Sequence, residues 1–362
     1  MIGQKPRQKI ARLLSVITAL WLMAMPTNAQ DIDMPDQRPE LLYSINIDAK
    51  NMFVKLYIND AYILFHGGFD ELLFTLGIDD YLKPGTNRIV IDYEPFDMEK
   101  QTFTPHEGVV LQVKLDRQSN QKFDIADDGK ITVFRPEIAE EVHLFSGRYD
   151  VKTGQMQQTQ ESIFNQGPVV RRDGGLAVSG AFITEPVTII YGDGTSEGHA
   201  QRLIFTFEIN DVPMPTPPWV NAPPLTDTPE LRAELWEAYQ QMHRIIAARD
   251  EEAYRREMRL VFAHGALTRG YRDAEDLADA LFKKRPFVDT PDERVAPLLP
   301  ATSITTGRLD FGQDEHRLVR FFPNPIRYET ENGDPSGSFG LFFCRQPEGH
   351  LAVCYVDDVP NQ

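Results

Sequence analysis

Between residues 41 and 211 the chain alternates apolar and polar positions with a period of two. Val54, Leu56 and Ile58 alternate with Lys55, Tyr57 and Asn59, and Val109, Leu111, Val113 and Leu115 alternate with Val110, Gln112 and Lys114. A strand points successive side chains to opposite sides, so this pattern predicts half-buried strands, one face on a core and one in water. Polar, glycine-bearing stretches at 83–87, 127–130, 173–175 and 192–194 punctuate the runs and supply the backbone freedom that tight turns need. Many short strands without a long helical run predict an all-β sandwich over residues 30–211, built as one sandwich or as two sub-sandwiches.

The period changes after residue 211. Pro213, Pro215, Pro217, Pro218, Pro223 and Pro224 fall within residues 212–228. Each fixes its own φ and lacks an N–H, so the segment predicts a stiff, extended linker, with Trp219 packing it onto a flanking domain. Helical spacing follows. Thr228 suits an N-cap, Pro229 a first turn and Glu230 the positive helix end, while Leu231, Leu235, Tyr239, Met242 and Ile246 share one face. Asp250 is placed to cap a second helix, lined by Tyr254, Met258 and Val261 and stopped by Gly265. Asp273 opens a third, with Ala274, Leu277, Ala278 and Leu281 inward and Lys283, Lys284 and Arg285 at its negative end. The period returns to two through 317–322, 326–330, 339–343 and 351–356. The expected fold class is therefore two-domain: an all-β sandwich, then a smaller α+β domain at 229–362 with three helices followed by an antiparallel sheet.

The first 29 residues carry a different pattern. Lys5, Arg7, Lys9 and Arg12 precede an apolar run at 13–25, and Pro26-Thr27-Asn28-Ala29 follows. That order predicts a signal peptide cleaved after Ala29 and a periplasmic mature protein. No cysteine follows the cut to take a lipid, and no second apolar run reaches spanning length, so no transmembrane anchor is expected. The chain has 37 basic and 54 acidic residues and a formal net charge of −17; losing the four basic residues of the signal moves this to −21. Such acidity repels phosphate backbones and excludes nucleic acid as a partner. It solvates an exported surface and would attract a protein with a basic surface.

Candidate chemistry is sparse. The two cysteines, Cys344 and Cys354, lie symmetrically about Gly349. A hairpin turning there would oppose them, and export to an oxidising compartment favours a disulfide. A metal site would need two further ligands, and redox pairs sit closer together, as Cys-x-x-Cys. The eight histidines, His66, His106, His143, His199, His243, His264, His316 and His350, form no zinc motif, and no nucleophile elbow or phosphate loop is present. No catalytic, metal-ligating or cofactor-binding residue is assigned, and no cofactor is expected.

The nearest constellation is Asp193-Gly194-Thr195-Ser196-Glu197-Gly198-His199, which could hold a metal or act as acid and base. It falls where a hairpin loop must be polar and glycine-rich, and the loop reading is preferred. His66-Gly67-Gly68 reads as a glycine-supported turn rather than an oxyanion site. His264, ahead of Gly265, is expected at a helix carboxyl end. Phe65, Phe69, Phe74, Phe321 and Phe322 read as core.

The words Phe53-Val-Lys-Leu-Tyr-Ile-Asn-Asp-Ala-Tyr and Asp80-Tyr-Leu-Lys-Pro-Gly-Thr-Asn-Arg-Ile-Val-Ile-Asp-Tyr93 resemble galactose-binding-like, jelly-roll accessory domains of glycosidases. Asn59 is followed by Asp60 where that family carries glycine. The resemblance implies a β-sandwich and a carbohydrate ligand. The helix junction Ala247-Ala248-Arg249-Asp250-Glu251-Glu252-Ala253 resembles the opening of NTF2-like cone domains, which implies α+β and brings no catalytic residue. The expectation is an exported, non-enzymatic binding protein, an inhibitor or immunity-type protein for a cationic partner. The alternatives are a carbohydrate-recognising envelope protein or glycosidase accessory module, and an enzyme with a dispersed acid–base site in the C-terminal domain.

Overall fold

A computed structural model describes residues 41–67, 71–97, 99–100, 102–104, 106–119, 124–125, 131–132, 138–159, 183–187, 190–191, 194–195, 200–209, 214–284, 293–299, 308–313 and 315–357. The proposed signal peptide, the turns at 127–130 and 173–175, Phe69, and most of the 193–199 constellation lie outside them.

Two five-stranded antiparallel sheets carry the period-two segments. The first comprises β1 (Leu41–Lys50), β4 (Leu72–Gly77), β6 (Val110–Ser119), β9 (Ile138–Asp150) and β10 (Gln155–Gln158), in the order β10-β9-β6-β1-β4. The second comprises β2 (Met52–Ile58), β3 (Ala61–His66), β5 (Gly85–Pro95), β11 (Ile183–Pro186) and β14 (Gln201–Ile209), in the order β11-β14-β5-β2-β3. Ile45, Ile47, Leu111, Val113 and Leu115 of the first sheet share a buried core with Val54, Leu56, Ile89, Ile91, Leu203 and Phe205 of the second. Alternation thus selects the inward faces as expected. Two short ribbons accompany them, β7 (Asp124–Ile125) with β8 (Ile131–Thr132), and β12 (Ile190–Tyr191) with β13 (Gly194–Thr195).

The outward face of the second sheet departs from expectation. Tyr57 and Asn59 are buried and Lys55 is half-buried, although all three alternate with core residues. A four-stranded sheet of the C-terminal half shields this face: β16 (Arg308–Phe311), β17 (Val319–Phe322), β20 (Gly340–Arg345) and β21 (Leu351–Asp357), in the order β16-β17-β20-β21. Its own alternation serves two cores. Phe342, Cys344, Cys354 and Tyr355 join the core of the five-stranded sheets, whereas Leu341, Phe343 and Val353 pack with the helices. A three-stranded sheet, β15 (Glu293–Val295), β18 (Arg327–Thr330) and β19 (Pro335–Ser338), completes the C-terminal half.

The described chain is mainly antiparallel β with four helices, one more than expected: α1 (Pro229–Ala248), α2 (Glu251–Glu257), α3 (Arg259–Arg269) and α4 (Ala274–Lys284). In α1, Leu231 N donates to the Thr228 hydroxyl at 3.1 Å, and Leu231, Leu235, Tyr239, Met242 and Ile246 are buried together. The expected second helix is two, because Met258 leaves helical geometry (φ −89°, ψ 5°) and caps α2 before α3 begins. Gly265 does not end a helix. It sits inside α3, where a Cβ would lie 2.9 Å from Leu277, and Gly270 (φ 71°) supplies the left-handed stop instead. Leu281 is 38% exposed rather than inward. Among the described residues no helix is long and apolar enough to cross a membrane.

The proline-rich stretch is anchored. Trp219 is buried, its indole Nε1 donates to the Asn59 carbonyl at 2.7 Å, and its ring meets Tyr355 and His264 with centroids 5.7 and 6.3 Å apart. Leu225 N donates to His316 O at 2.8 Å, and Arg317 Nη1 reaches the carbonyls of Val220 and Ala222 at 2.6 and 2.5 Å.

Candidate functional site

Strands β14, β5, β2 and β3 set Arg202, Asp92, Lys55 and Phe65 side by side as cross-strand neighbours on the outward face of the second sheet. Arg202 grips the Asp92 carboxylate through Nε at 2.6 Å and Nη2 at 2.8 Å, and Nη2 also donates to Gln313 Oε1 at 2.5 Å. The Lys55 ammonium lies 5.7 Å from the centre of the Phe65 ring. The opposing sheet contributes Arg320, whose Nε and Nη2 donate to Asp310 Oδ2 at 3.1 and 3.0 Å and whose Nη1 donates to Asp357 Oδ2 at 3.2 Å. Its guanidinium is held between the rings of Tyr62 and Phe342, 4.7 and 4.4 Å from their centres. Side-chain exposures of 5% for Arg320, 8% for Asp310 and 7% for Asp357 place the triad in a water-poor layer.

Burial there acts on Arg320, Tyr57, Tyr62 and Lys55. Burial alone would lower the Arg320 pKa, but Asp310 and Asp357 outweigh it and keep the guanidinium charged. Burial pushes the Tyr57 and Tyr62 phenols up, so both stay neutral. Burial also pulls Lys55 down; Asp310 and Asp92 oppose that shift while Arg308 and Arg320 reinforce it. Desolvated charges persist only when paired and hydrogen-bonded, which the two arginines satisfy. Each ion pair lies within its own sheet. The sheets meet through Arg202 on Gln313, the Arg320 guanidinium on the Tyr62 ring and the Tyr355 hydroxyl on Tyr62 O, and burial displaces Lys55 between them toward neutrality.

A second polar joint ties α3 to the 3-10 turn Asp79–Tyr81. Asp80 accepts from Arg269 Nη2 at 2.7 Å and from the Thr268 hydroxyl, and its carbonyl accepts from His264 Nε2 at 2.8 Å. Burial lowers the His264 pKa, so the ring is held neutral with its proton on Nε2. This is a contact across to the sheets, not the helix-end role expected for His264. Asp79 accepts from Tyr43 N at 3.1 Å, and burial pushes its carboxyl up to about 7 against that hydrogen bond.

The β2–β3 turn explains the Asn59-Asp60 pair. Both residues have positive φ, 46° and 76°, a region that Asn and Asp tolerate. Asn59 Nδ2 donates to Tyr81 O and Asn87 Oδ1 at 2.8 and 2.7 Å, while its Oδ1 accepts from Arg88 N at 2.9 Å. The Asp60 carboxylate accepts from Glu315 N and Arg317 N at 2.8 and 3.0 Å, a task glycine could not perform.

The cysteines are bonded, with S–S 1.98 Å and Cα–Cα 5.7 Å, though they are not directly opposed. Cys344 pairs with Ala352, and a bulge at Phe342/Phe343 leaves Cys354 without a register partner, so the bond runs diagonally on one face. Gly349 (φ 95°) makes the turn as expected. The described histidines are dispersed: His66 is buried at the end of β3, His243 Nε2 lies 2.9 Å from Ala296 O, and His106 Nε2 lies 3.3 Å from Phe96 O. Among the described residues no group of three or more His, Cys, Asp or Glu is placed to hold a metal. Phe321 is buried and Phe65 and Phe74 pack against the core, as their strand positions imply.

Comparison with known proteins finds no matching family model, curated protein or solved structure. The site must be read from its own chemistry. The charged layer escaped the sequence reading because Lys55 and Asp92 occupy positions that ordinarily face water. The available signal was the matched charge of Asp310, Arg320 and Asp357 within otherwise apolar strands.

Proposed function

We propose that this chain is an exported, non-enzymatic binding protein of the bacterial envelope whose partner is a protein with a basic surface. The observation that carries the reading is the use of internal charge. Arg320 with Asp310 and Asp357, and Arg202 with Asp92, are spent on one another between strands of their own sheets. The full-chain net charge of −17, which becomes −21 once the four basic residues of the signal are lost, is then available for long-range attraction, which raises association rates for a complementary partner. The Cys344–Cys354 bond fits an oxidising compartment. The two five-stranded sheets with one shared core fit a β-sandwich over residues 30–211, and the helices with their sheets fit an α+β part at 229–362. Carbohydrate recognition is less well supported: the large exposed apolar side chains among the described residues are Leu73, Val151, Leu267 and Leu281, which are aliphatic rather than ring platforms.

The test is capture from envelope extract with the mature protein, followed by mass spectrometry and by elution in salt. Retention of a basic protein released at moderate salt is the expected result. Retention of glycan alone transfers the reading to carbohydrate recognition. N-terminal mass analysis of protein from the native cell should find Gln30 first, and an intact Met1 overturns the export step.

A further inference from the structure

Among the described residues, strand β4 is the terminal strand of the first sheet, paired on one side with β1. Backbone groups of a strand alternate in direction, so about half of its N–H and C=O groups point away from the sheet. The two end strands of the second sheet differ from β4. β11 contains Glu185 and Pro186, and β3 is flanked by β21, with the Tyr355 hydroxyl donating to Tyr62 O at 2.7 Å. β4 reads Leu-Leu-Phe-Thr-Leu-Gly, six residues without a charge, a proline or a bulge. Its inward residues Leu72, Phe74 and Leu76 are packed on the core, while Leu73 on the outward face is 75% exposed. An uncharged edge with an exposed apolar side chain is a template for a further strand.

The surroundings of Leu73 specify the strand's charge. Its cross-strand partner is Asp48, and exposed Glu71 precedes it by two positions on the same face. The Asp48 carboxyl is pushed up by burial and by Glu71, and Lys50 offsets this in part. A cation laid beside the two carboxylates relieves their crowding. A second copy would bring another Asp48–Glu71 pair to the same edge of an already acidic chain.

We propose that β4 is a docking edge that takes an extended strand from a partner protein, with an apolar residue against Leu73 and a lysine or arginine beside Asp48 and Glu71. This rests on the binding-protein reading and gives it a surface and a partner chemistry.

The probe is a labelled eight-residue peptide, Val-Thr-Lys-Thr-Val-Thr-Lys-Thr, which presents valine and lysine on the same face of a strand, titrated into the mature protein by fluorescence anisotropy, with hydrogen exchange to locate it. Binding should protect amides of 72–77, fall at least tenfold in Leu73→Lys, and be unaffected in Val151→Lys, which adds the same charge at another exposed site. Equal loss in both variants, protection elsewhere, no binding, or equal binding of a valine–glutamate peptide overturns the proposal. Wild-type self-association in sedimentation velocity that Leu73→Lys abolishes also overturns it, by giving the edge to a second copy. A captured envelope partner that binds Leu73→Lys as well as wild type rejects the edge and leaves the binding-protein reading standing.

Discussion

Replacing Arg320 by methionine should cost about 3–5 kcal/mol, the range for removing one partner of a buried ion pair. The structure explains why the loss falls there rather than in the range below about 1 kcal/mol typical of surface pairs. Arg320 is 5% exposed, and its removal strips a buried cation from Asp310 and Asp357, at 8% and 7% exposed, although Arg308 remains 3.7 Å from Asp310. Methionine preserves most of the contact with Tyr62 and Phe342, so lost packing is a minor contribution. Adding Asp310→Asn and Asp357→Asn removes the excess buried negative charge, and the triple variant should recover about half of the loss. Urea denaturation followed by circular dichroism measures both. A loss below about 1 kcal/mol in Arg320→Met, or a triple variant weaker than the single one, refutes the claim that buried charge pairing stabilises this sheet.

Asp79 should make stability fall as pH rises. Its folded pKa of about 7 lies above the ordinary 3.8, so its contribution is full below pH 3.8 and is lost as pH rises through 7. The span corresponds to about 4 kcal/mol; Asp79→Asn should therefore match wild type near pH 4 and exceed it near pH 8, and a difference flat across urea melts in that range contradicts the assignment. Serine at both Cys344 and Cys354 should cost about 2–3 kcal/mol at most, because the bond closes a short loop; thiol titration of exported wild type should find no free cysteine. Trp219→Ala should cost about 3–5 kcal/mol through lost packing and the lost bond to Asn59 O, and should open 214–228 to limited proteolysis, which wild type resists.

The inward faces of the strands were legible because a residue on the core side of a sheet must be apolar, and Val54, Leu56 and Ile58 obey that locally. The outward face was not, since whether Lys55 and Tyr57 meet water depends on strands more than 250 positions later. Helix α1 was legible down to its Thr228 cap, because cap and stripe are local properties. The break at Met258 was not, since no glycine or proline marks it, and Gly265 is there for close packing on Leu277 rather than for a turn. The cysteine pairing followed from the turn at Gly349, whereas the bulge that makes it diagonal leaves no residue signature. Asp60 in place of glycine was visible, but its partners, the N–H groups of Glu315 and Arg317, lie too far along the chain to be inferred.

The association rate of the captured partner with mature protein, measured from low to physiological ionic strength at fixed pH, tests the central claim most directly. Charge-steered binding predicts a rate that falls markedly as salt rises while the dissociation rate changes little. An association rate flat across that range contradicts it, and leaves the acidity with no role beyond solvating the surface.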